Sequence, residues 1–197
     1  GAFNDNVFKH ALILAILFKL GTTSDKSLLI NLCAVLFILP FFLFSALGGQ
    51  LGERFEKAVL IRRIKFAEIL IMLAGALGML LGNLPLLLVV LFCMGTQSAL
   101  FGPVKYSILP QQLTEDELVG GNALVEMGTF LAILGGTIGA GVLMASDAYA
   151  EWVALSVVLI ALVGYLASLA IPAATAALPT LHMDWPVLRQ SWRVLRL

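Results

Sequence analysis

The sequence predicts an all-α, polytopic membrane protein with six transmembrane helices. Of its 197 residues, 60% are hydrophobic and only 12% are charged, and the mean hydropathy is +1.01. Six segments approach the roughly 20 predominantly apolar residues that a helix needs to cross a bilayer. They lie at about 1–20, 28–48, 59–82, 86–109, 118–145 and 152–171. Because the formal net charge is zero, the composition indicates no nucleic-acid partner.

The first predicted helix begins with the polar run Asn4-Asp5-Asn6 and becomes apolar over residues 11–18. An ionisable group at the centre of a membrane span costs roughly 2.5–3.5 kcal/mol even on lenient insertion scales, so it marks a pathway or a binding site. Lys9 follows Asp5 by four residues on the same face. The alternative is that the two groups neutralise each other or extend to the headgroups. Since residue 1 is a glycine and not an initiator methionine, and the polar run follows almost at once, we expect a truncated first helix and a fragment of a longer protein.

The connections between the predicted spans are short and carry helix-start signals. One of them contains Asn83 and Pro85, and proline suits the first turn of a helix. Before the fifth span, Thr114 and Glu117 have the T-x-x-E spacing of a capping box, in which the two residues satisfy each other's backbone N–H groups. This spacing predicts where the fifth helix begins.

Basic residues collect on one side of the predicted bundle. They are Arg54, Lys57, Arg62, Arg63 and Lys65 between the second and third spans, and Arg189, Arg193 and Arg196 after the sixth. The connections at 83–85 and 146–151 contain no Lys or Arg. The positive-inside rule therefore predicts that both ends of the chain lie in the cytoplasm.

Residues 172–197 are predicted to form a cytoplasmic linker after a six-helix domain at 1–171. Near the end of this linker, Trp185, Leu188, Trp192 and Leu195 recur at helical spacing while the arginines fall on another face. This pattern is typical of an amphipathic helix that lies along the lipid headgroups. An unstructured basic tail is the alternative.

Charged residues are unevenly shared among the six predicted helices. The fourth contains Lys105, and the fifth contains Glu126 with Asn122 one turn earlier on the same face, whereas the third and sixth are expected to carry no charge through their central stretches. Lys105 could instead extend to the headgroups. Glu126, on the order of 12 Å into its helix, is expected to be buried. An acid, an amide and an amine on one side of the bundle are able to close a gate or to bind a zwitterionic or phosphate-bearing headgroup.

Glycine and proline predict close packing and an interruption in the fourth helix. Gly102-Pro103 comes shortly before Lys105, and a proline at this point predicts a kink or break that lines a cavity, although a simple packing kink is equally compatible. The spacings Gly78-x-x-x-Gly82 and Gly135-x-x-x-Gly139 allow helix backbones to approach closely.

No pattern in the chain indicates catalysis, a metal or a cofactor. His10 and His182 are isolated, and Cys33 and Cys93 fall inside apolar runs where a thiol behaves as a small hydrophobic group. The acyltransferase pattern H-x-x-x-x-D, the G-x-S-x-G motif and a phosphate-binding loop are absent from the sequence. We therefore assign no catalytic, metal-binding or cofactor-binding residue.

Four motifs together resemble the lysophospholipid transporters of the major facilitator superfamily. They are Asn4-Asp5-Asn6, Gly49-Gln50-Leu51-Gly52-Glu53-Arg54, Phe101-Gly102-Pro103-Val104-Lys105-Tyr106-Ser107-Ile108-Leu109 and Gly120-Gly121-Asn122-Ala123-Leu124-Val125-Glu126. The resemblance covers nearly all of residues 1–170. It implies a twelve-helix transporter whose N-terminal six-helix half is this chain, with the first, fourth and related helices around a central cavity and the third and sixth outside it.

The resemblance also implies an activity and a set of partners. Members of this family move lysophospholipids, chiefly lysophosphatidylethanolamine, across the bacterial inner membrane by alternating access, and the product is reacylated. Besides that substrate and the membrane lipids, the expected partners are a C-terminal six-helix half and, as in some relatives, a fused or associated acyltransferase and acyl-carrier-protein ligase.

Two groups of site residues follow from the resemblance and the charge pattern. The expected substrate-binding or gating residues are Asn4, Asp5, Asn6, Lys9, Lys105, Asn122 and Glu126. The expected cytoplasmic latch consists of Gly49, Gly52, Glu53 and Arg54. The superfamily usually has Asp where this chain has Glu53, and a later glycine of the pattern is replaced by Glu56 or Lys57, depending on the alignment.

Other functions remain open at this stage. A drug or sugar exporter of the same superfamily is the nearest alternative within transport, although a sugar carrier would be expected to offer more aromatic and amide groups. The chain could instead be the membrane anchor of an acyltransferase, or an inert scaffold in which the buried charges would be an uncompensated cost.

Overall fold

A computed structural model describes residues 1–19, 25–178 and 180, and all regular secondary structure within them is helical, as predicted. Six long helices and one short helix occur in this part of the chain. They are α1 (Ala2–Phe18), α2 (Lys26–Arg54), α3 (Lys57–Leu80), α4 (Leu84–Ser107), α5 (Leu109–Gln112), α6 (Glu115–Met144) and α7 (Tyr149–Leu169). By length and composition, four stretches of the described residues are able to cross a membrane: Lys26–Arg54, Leu84–Gln112, Glu115–Met144 and Tyr149–Leu169. The chain is therefore a membrane protein.

The helices pack along one another in pairs. α2 lies along α4, α3 lies along both α4 and α7, and α1 lies along α6. The larger core cluster forms where these pairs meet, around Phe8, Leu12 and Met72. α6 approaches α1 so closely that a Cβ atom on Gly136 would lie 2.4 Å from the backbone oxygen of Phe3. Gly136 belongs to the stretch for which close packing was predicted.

The start of α6 agrees with the sequence, whereas the break predicted in α4 does not occur. Glu117 accepts the backbone N–H of Thr114 at 3.0 Å in the predicted capping box. α4 continues through Pro103 and ends one turn later, at Ser107. The proline removes one backbone hydrogen bond, and the helix tolerates this loss so near its end. Gly95 of α4 faces α2, and a Cβ atom there would lie 2.5 Å from the backbone oxygen of Phe37.

The connection between α2 and α3 is much shorter than the sequence suggested. Residues 49–54 form the last turns of α2 and not a loop, and only Phe55 and Glu56 separate the two helices. Two glycines near this end of α2 pack against α4, since a Cβ atom on Gly48 would lie 2.9 Å from the backbone oxygen of Leu100 and one on Gly52 would lie 3.2 Å from Ser107 Oγ. Glu56 ends the connection by accepting the backbone N–H groups of Ala58 and Val59 at the start of α3.

Residues 171–178 fold back after α7 across the ends of α2, α3 and α5, and we call them the clamp segment. Its backbone accepts from Arg62, Lys57 and Gln111 at distances of 3.0–3.4 Å. Ala174 of the segment is buried in a second apolar cluster with Ile61, Ile64, Val104 and Ile108. The first part of the predicted linker is therefore attached to the bundle. The amphipathic helix expected near residues 185–197 lies outside the described residues.

Candidate functional site

A cavity of about 360 Å³ opens between α1, α2, α4 and α6. Its polar lining comes from Asp5, Asn6, Lys9, Ser98, Lys105 and Thr129. Phe37, Phe41 and Phe101 supply aromatic walls. Four residues expected to bind or gate a substrate, namely Asp5, Asn6, Lys9 and Lys105, thus meet in one space, and α3 and α7 contribute none of its lining residues in the described part of the chain.

Asp5 is the acidic group of this cavity. Its side chain is only 5% exposed, and its Oδ2 accepts a hydrogen bond of 2.6 Å from Ser98 Oγ. The other carboxylate oxygen, Oδ1, is buried without a hydrogen-bond partner among the described residues. A buried carboxylate oxygen without a partner is unfavourable, so Asp5 retains the capacity to accept another donor.

Lys9 does not form a local ion pair with Asp5 in the described structure, which was the alternative considered from the sequence. Its Nζ lies 4.9 Å from the centroid of the Phe37 ring, a distance that suits a cation–π interaction. The Ser98 hydroxyl instead donates a hydrogen bond to one carboxylate oxygen of Asp5. Both charged groups therefore contact α2 or α4 and not each other.

Lys105 and Glu126 belong to one partly exposed cluster that joins α4 to α6, which we call the open-face cluster. Lys105 Nζ donates to Thr129 Oγ1 at 3.1 Å and lies 4.4 Å from the centroid of the Tyr106 ring. The Tyr106 hydroxyl donates to the carboxylate of Glu126. The cluster brings two candidate residues from distant parts of the chain into one network, and sequence reasoning had not singled out Tyr106 and Thr129 as members of it.

The expected burial of Glu126 is wrong, because its side chain is exposed. α6 turns the face that contains Gly136 and Ala140 towards α1, and the surroundings of Glu126 are left uncovered. Asn122 is also exposed, and its amide donates to the backbone oxygen of Leu118 in its own helix at 2.9 Å. Depth along a helix alone did not determine burial.

Asn4 and Asn6 point in different directions although they flank the same aspartate. Asn6 lines the cavity and donates to the backbone oxygen of Ala2 at 2.8 Å. Asn4 is fully buried on the opposite side, where Nδ2 donates to Glu68 Oε1 at 3.2 Å and to the backbone oxygen of Val157 at 3.1 Å. Asn4 is therefore part of a network behind the cavity and does not line it.

Glu68 is the centre of that network, which sequence reasoning missed. It lies midway along α3, where no charge was expected, and its side chain is 1% exposed. Lys65 donates to Glu68 Oε2 at 2.7 Å, and Gln97 Nε2 donates to the same oxygen at 3.3 Å. We call Asn4, Lys65, Glu68 and Gln97 the buried cluster. The three-residue spacing of Lys65 and Glu68 places them on one helix face and was a signal for the pair.

The residues of the expected latch surround the end of α2. A Cβ atom on Gly52 would lie 3.2 Å from Ser107 Oγ of α4, whereas Gly49 faces open space. The backbone oxygen of Glu53 accepts the N–H of Leu178 at 2.9 Å, and the guanidinium of Arg54 lies over the Phe55 ring. Side-chain contacts across the α2–α3 connection come mainly from Glu56, which accepts the N–H of Ala174 at 2.6 Å.

A metal site is not indicated by the described part of the chain. No group of three or more His, Cys, Asp and Glu side chains is close enough there to hold a metal ion. The two cysteines are free, with Cys33 buried and Cys93 exposed. His10 makes a local contact, in which Nδ1 donates to the backbone oxygen of Asn6 at 2.9 Å.

Comparison with known proteins identifies relatives that are transporters. No family model matches the chain. The chain is 32% identical over 169 residues to proteins named lysophospholipid transporter LplT from Salmonella heidelberg (strain SL476), Salmonella newport (strain SL254) and Salmonella schwarzengrund (strain CVM19633). These alignments cover 86% of the chain and 38% of each relative, so the chain spans less than half of their length. The resemblance predicted from the motifs is confirmed: the chain is related to the lysophospholipid transporters over most of its length.

Proposed function

We propose that the complete protein moves a lysophospholipid similar to lysophosphatidylethanolamine across the bacterial inner membrane by alternating access, supplying it for reacylation. This chain would form the N-terminal six-helix bundle of a major facilitator fold, with both ends in the cytoplasm. The observation that carries the proposal is the joint presence of Asp5 and Lys105 in one aromatic-walled cavity. The related proteins are transporters of this substrate class by name.

The chemistry of the cavity suits a zwitterionic lipid headgroup. A phosphoethanolamine group carries a negative phosphate and a positive ammonium group. Lys105 would act as a point charge for the phosphate, and Asp5, with one oxygen free of hydrogen bonds among the described residues, would accept from the ammonium. Phe37, Phe41 and Phe101 would contact the apolar part of the lipid.

Six spans require that α1 and α3 also cross the membrane. The 17 residues of α1 extend about 26 Å at 1.5 Å per residue, close to the thickness of a hydrocarbon core. The basic residues of α3 lie mostly in its first half, and its two central charges form an ion pair. Pairing lowers the cost of burying these charges.

The open-face cluster and the residues at the end of α2 would serve the conformational cycle. Glu126 joins α6 to α4 through Tyr106, so this contact would form or break as a gate. Gly49, Gly52, Glu53 and Arg54 would form a cytoplasmic latch, in which Gly52 allows α2 to approach Ser107 closely. A fused or associated acyltransferase and a C-terminal helical half remain the expected partners.

Uptake of lysophosphatidylethanolamine by vesicles that contain the complete protein tests the proposal. We expect Asp5→Asn and Lys105→Met each to lower uptake at least tenfold, because each removes a charged partner worth about 1.5–3 kcal/mol. Asp147→Asn is the matched control, since Asp147 is exposed and outside the cavity. If both cavity variants take up the lipid as fast as the unmodified protein, the cavity is not the substrate-binding site. Preferential uptake of a sugar or a dye would favour the exporter alternative.

A further inference from the structure

We propose that Glu68 is a positioning residue for the cavity: its carboxylate fixes Asn4 and Gln97, and thereby sets Asp5 against Ser98. Glu68 itself lies outside the cavity lining. The inference deepens the proposed transport function and rests on it, since both concern the same cavity.

One buried carboxylate joins three helices. Oε1 of Glu68 on α3 accepts from Asn4 of α1 at 3.2 Å, and Oε2 accepts from Gln97 of α4 at 3.3 Å. Lys65 Nζ donates to Oε2 at 2.7 Å and supplies the opposite charge. A carboxylate has two acceptor oxygens for N–H donors, whereas an amide of the same size has one and an apolar side chain has none. α1 and α4 are therefore held in register by a group on a third helix.

The residues that Glu68 holds are the direct neighbours of the two residues that meet in the cavity. Asn4 precedes Asp5 on α1, and Gln97 precedes Ser98 on α4. Consecutive residues of an α-helix point about 100° apart because one turn takes 3.6 residues. Asn4 and Gln97 can therefore face α3 while Asp5 and Ser98 face each other at 2.6 Å. A rotation of α1 or α4 that broke one set of contacts would also disturb the other.

The orientation of the Gln97 amide adds a direct connection between the two sets. Its Nε2 points to Glu68, so its Oε1 points to the other side, 3.2 Å from Ser98 Oγ. Ser98 has one hydroxyl proton, and the shorter contact at 2.6 Å assigns that proton to Asp5, so the approach of Gln97 to Ser98 is a packing contact and not a second hydrogen bond. Asn4 is fixed further by the backbone oxygen of Val157 on α7. The position of Asp5 thus depends on contacts that begin at Glu68.

Paired substitutions in the complete protein separate positioning from simple stability. Glu68→Leu with Lys65→Met removes both charges and the acceptor, whereas Glu68→Gln with Lys65→Met keeps one acceptor for Asn4 without an unpaired lysine. We expect the first pair to raise the KM for lysophosphatidylethanolamine about tenfold and the second to restore most of the affinity, since a hydrogen bond to a charged group is worth about 1.5–3 kcal/mol. Asn4→Leu should raise KM similarly and add little to the Leu/Met pair. If both pairs lower the amount of folded protein while KM stays unchanged, Glu68 has a stability role only and the proposal is wrong.

A second readout does not depend on transport. In a variant with Cys33 and Cys93 replaced by alanine, Ser98→Cys places a thiol against Asp5 for labelling by a water-soluble maleimide. We expect several-fold faster labelling with the Leu/Met pair than with the Gln/Met pair, because α1 is no longer held against α4. Equal labelling rates would overturn the positioning role. If the unmodified protein carries no lysophospholipid but labelling differs as expected, the transport function fails while the positioning role stands.

Discussion

The buried cluster and the open-face cluster contain similar side chains in opposite environments. Each contains a lysine and a glutamate, and each of these contacts a neutral polar side chain on another helix or an ion-pair partner on its own. In the buried cluster Glu68 is 1% exposed and accepts from Asn4, Lys65 and Gln97. In the open-face cluster Glu126 is exposed, and the described structure gives it the Tyr106 hydroxyl as its hydrogen-bond donor. The same kinds of side chain therefore lie in two different environments.

The two clusters differ in whether water can solvate a carboxylate that has lost its partner. An exposed carboxylate that loses its partner is solvated again, so the contact contributes little to folding and can form and break during a transport cycle. A buried carboxylate that loses its partner stays unsolvated, so breaking the contact is strongly unfavourable. The buried cluster thus belongs to the stable part of the bundle, and the open-face cluster is suited to a movable contact.

Glu68→Ala is expected to have the largest effect on stability. It leaves Lys65 as an uncompensated buried charge and the amides of Asn4 and Gln97 without their acceptor. We expect a loss of roughly 3–5 kcal/mol in the free energy of unfolding, measured by thermal unfolding in detergent micelles. Glu126→Ala is the matched control. An equal loss in the two variants would show that burial does not separate the clusters.

Glu56→Gln is expected to have an intermediate effect that depends on pH. Partial burial raises the pKa of the Glu56 carboxyl, but the N–H groups of Ala174, Val59 and Ala58 and the nearby Arg62 outweigh it and hold the pKa below its usual value. The carboxylate therefore stabilises the fold above its unfolded pKa of about 4.3, and this contribution is lost as the pH falls through the lower folded value. The loss of a helix cap costs roughly 0.5–2 kcal/mol.

Unfolding measured between neutral pH and pH 3 checks this expectation. The stability difference between the unmodified protein and the Glu56→Gln variant should be largest at neutral pH and should shrink in acid. A difference that is constant over this range would mean that the charge of Glu56 does not stabilise the α2–α3 connection. Glu115→Gln, at an exposed position on α6, is a suitable control.

Glu126→Gln is expected to have the smallest effect on stability. Its side chain is exposed, and substitutions at such positions usually change the free energy of unfolding by less than about 0.5 kcal/mol. Vesicle uptake should fall severalfold all the same if the contact with Tyr106 acts as a gate, and Tyr106→Phe should have a similar effect. Normal uptake with unchanged stability would remove Glu126 from the proposed site.

Much of the cavity could be predicted because its charged residues lie inside otherwise apolar helices. Asp5 and Lys105 interrupt apolar helices, and an ionisable group in such a segment is rare enough to be informative by itself. Glu68 carries the same signal, but no charge was expected in the centre of the third predicted span, and its partner Lys65 was counted among the basic residues between the second and third spans. Its partner Asn4 is 64 residues away, and no local pattern indicates that pair.

The amino-acid sequence was enough to predict the helical class, most helix boundaries, the capping box at Thr114 and the relation to lysophospholipid transporters. These depend on local composition, on spacing and on motifs, all of which are contained in one stretch of chain. The tertiary structure alone decided that Glu68 is enclosed, that Glu126 is exposed and that residues 49–54 continue α2. The helical period fixes which residues share a face, but only the packing of other helices decides whether that face is covered.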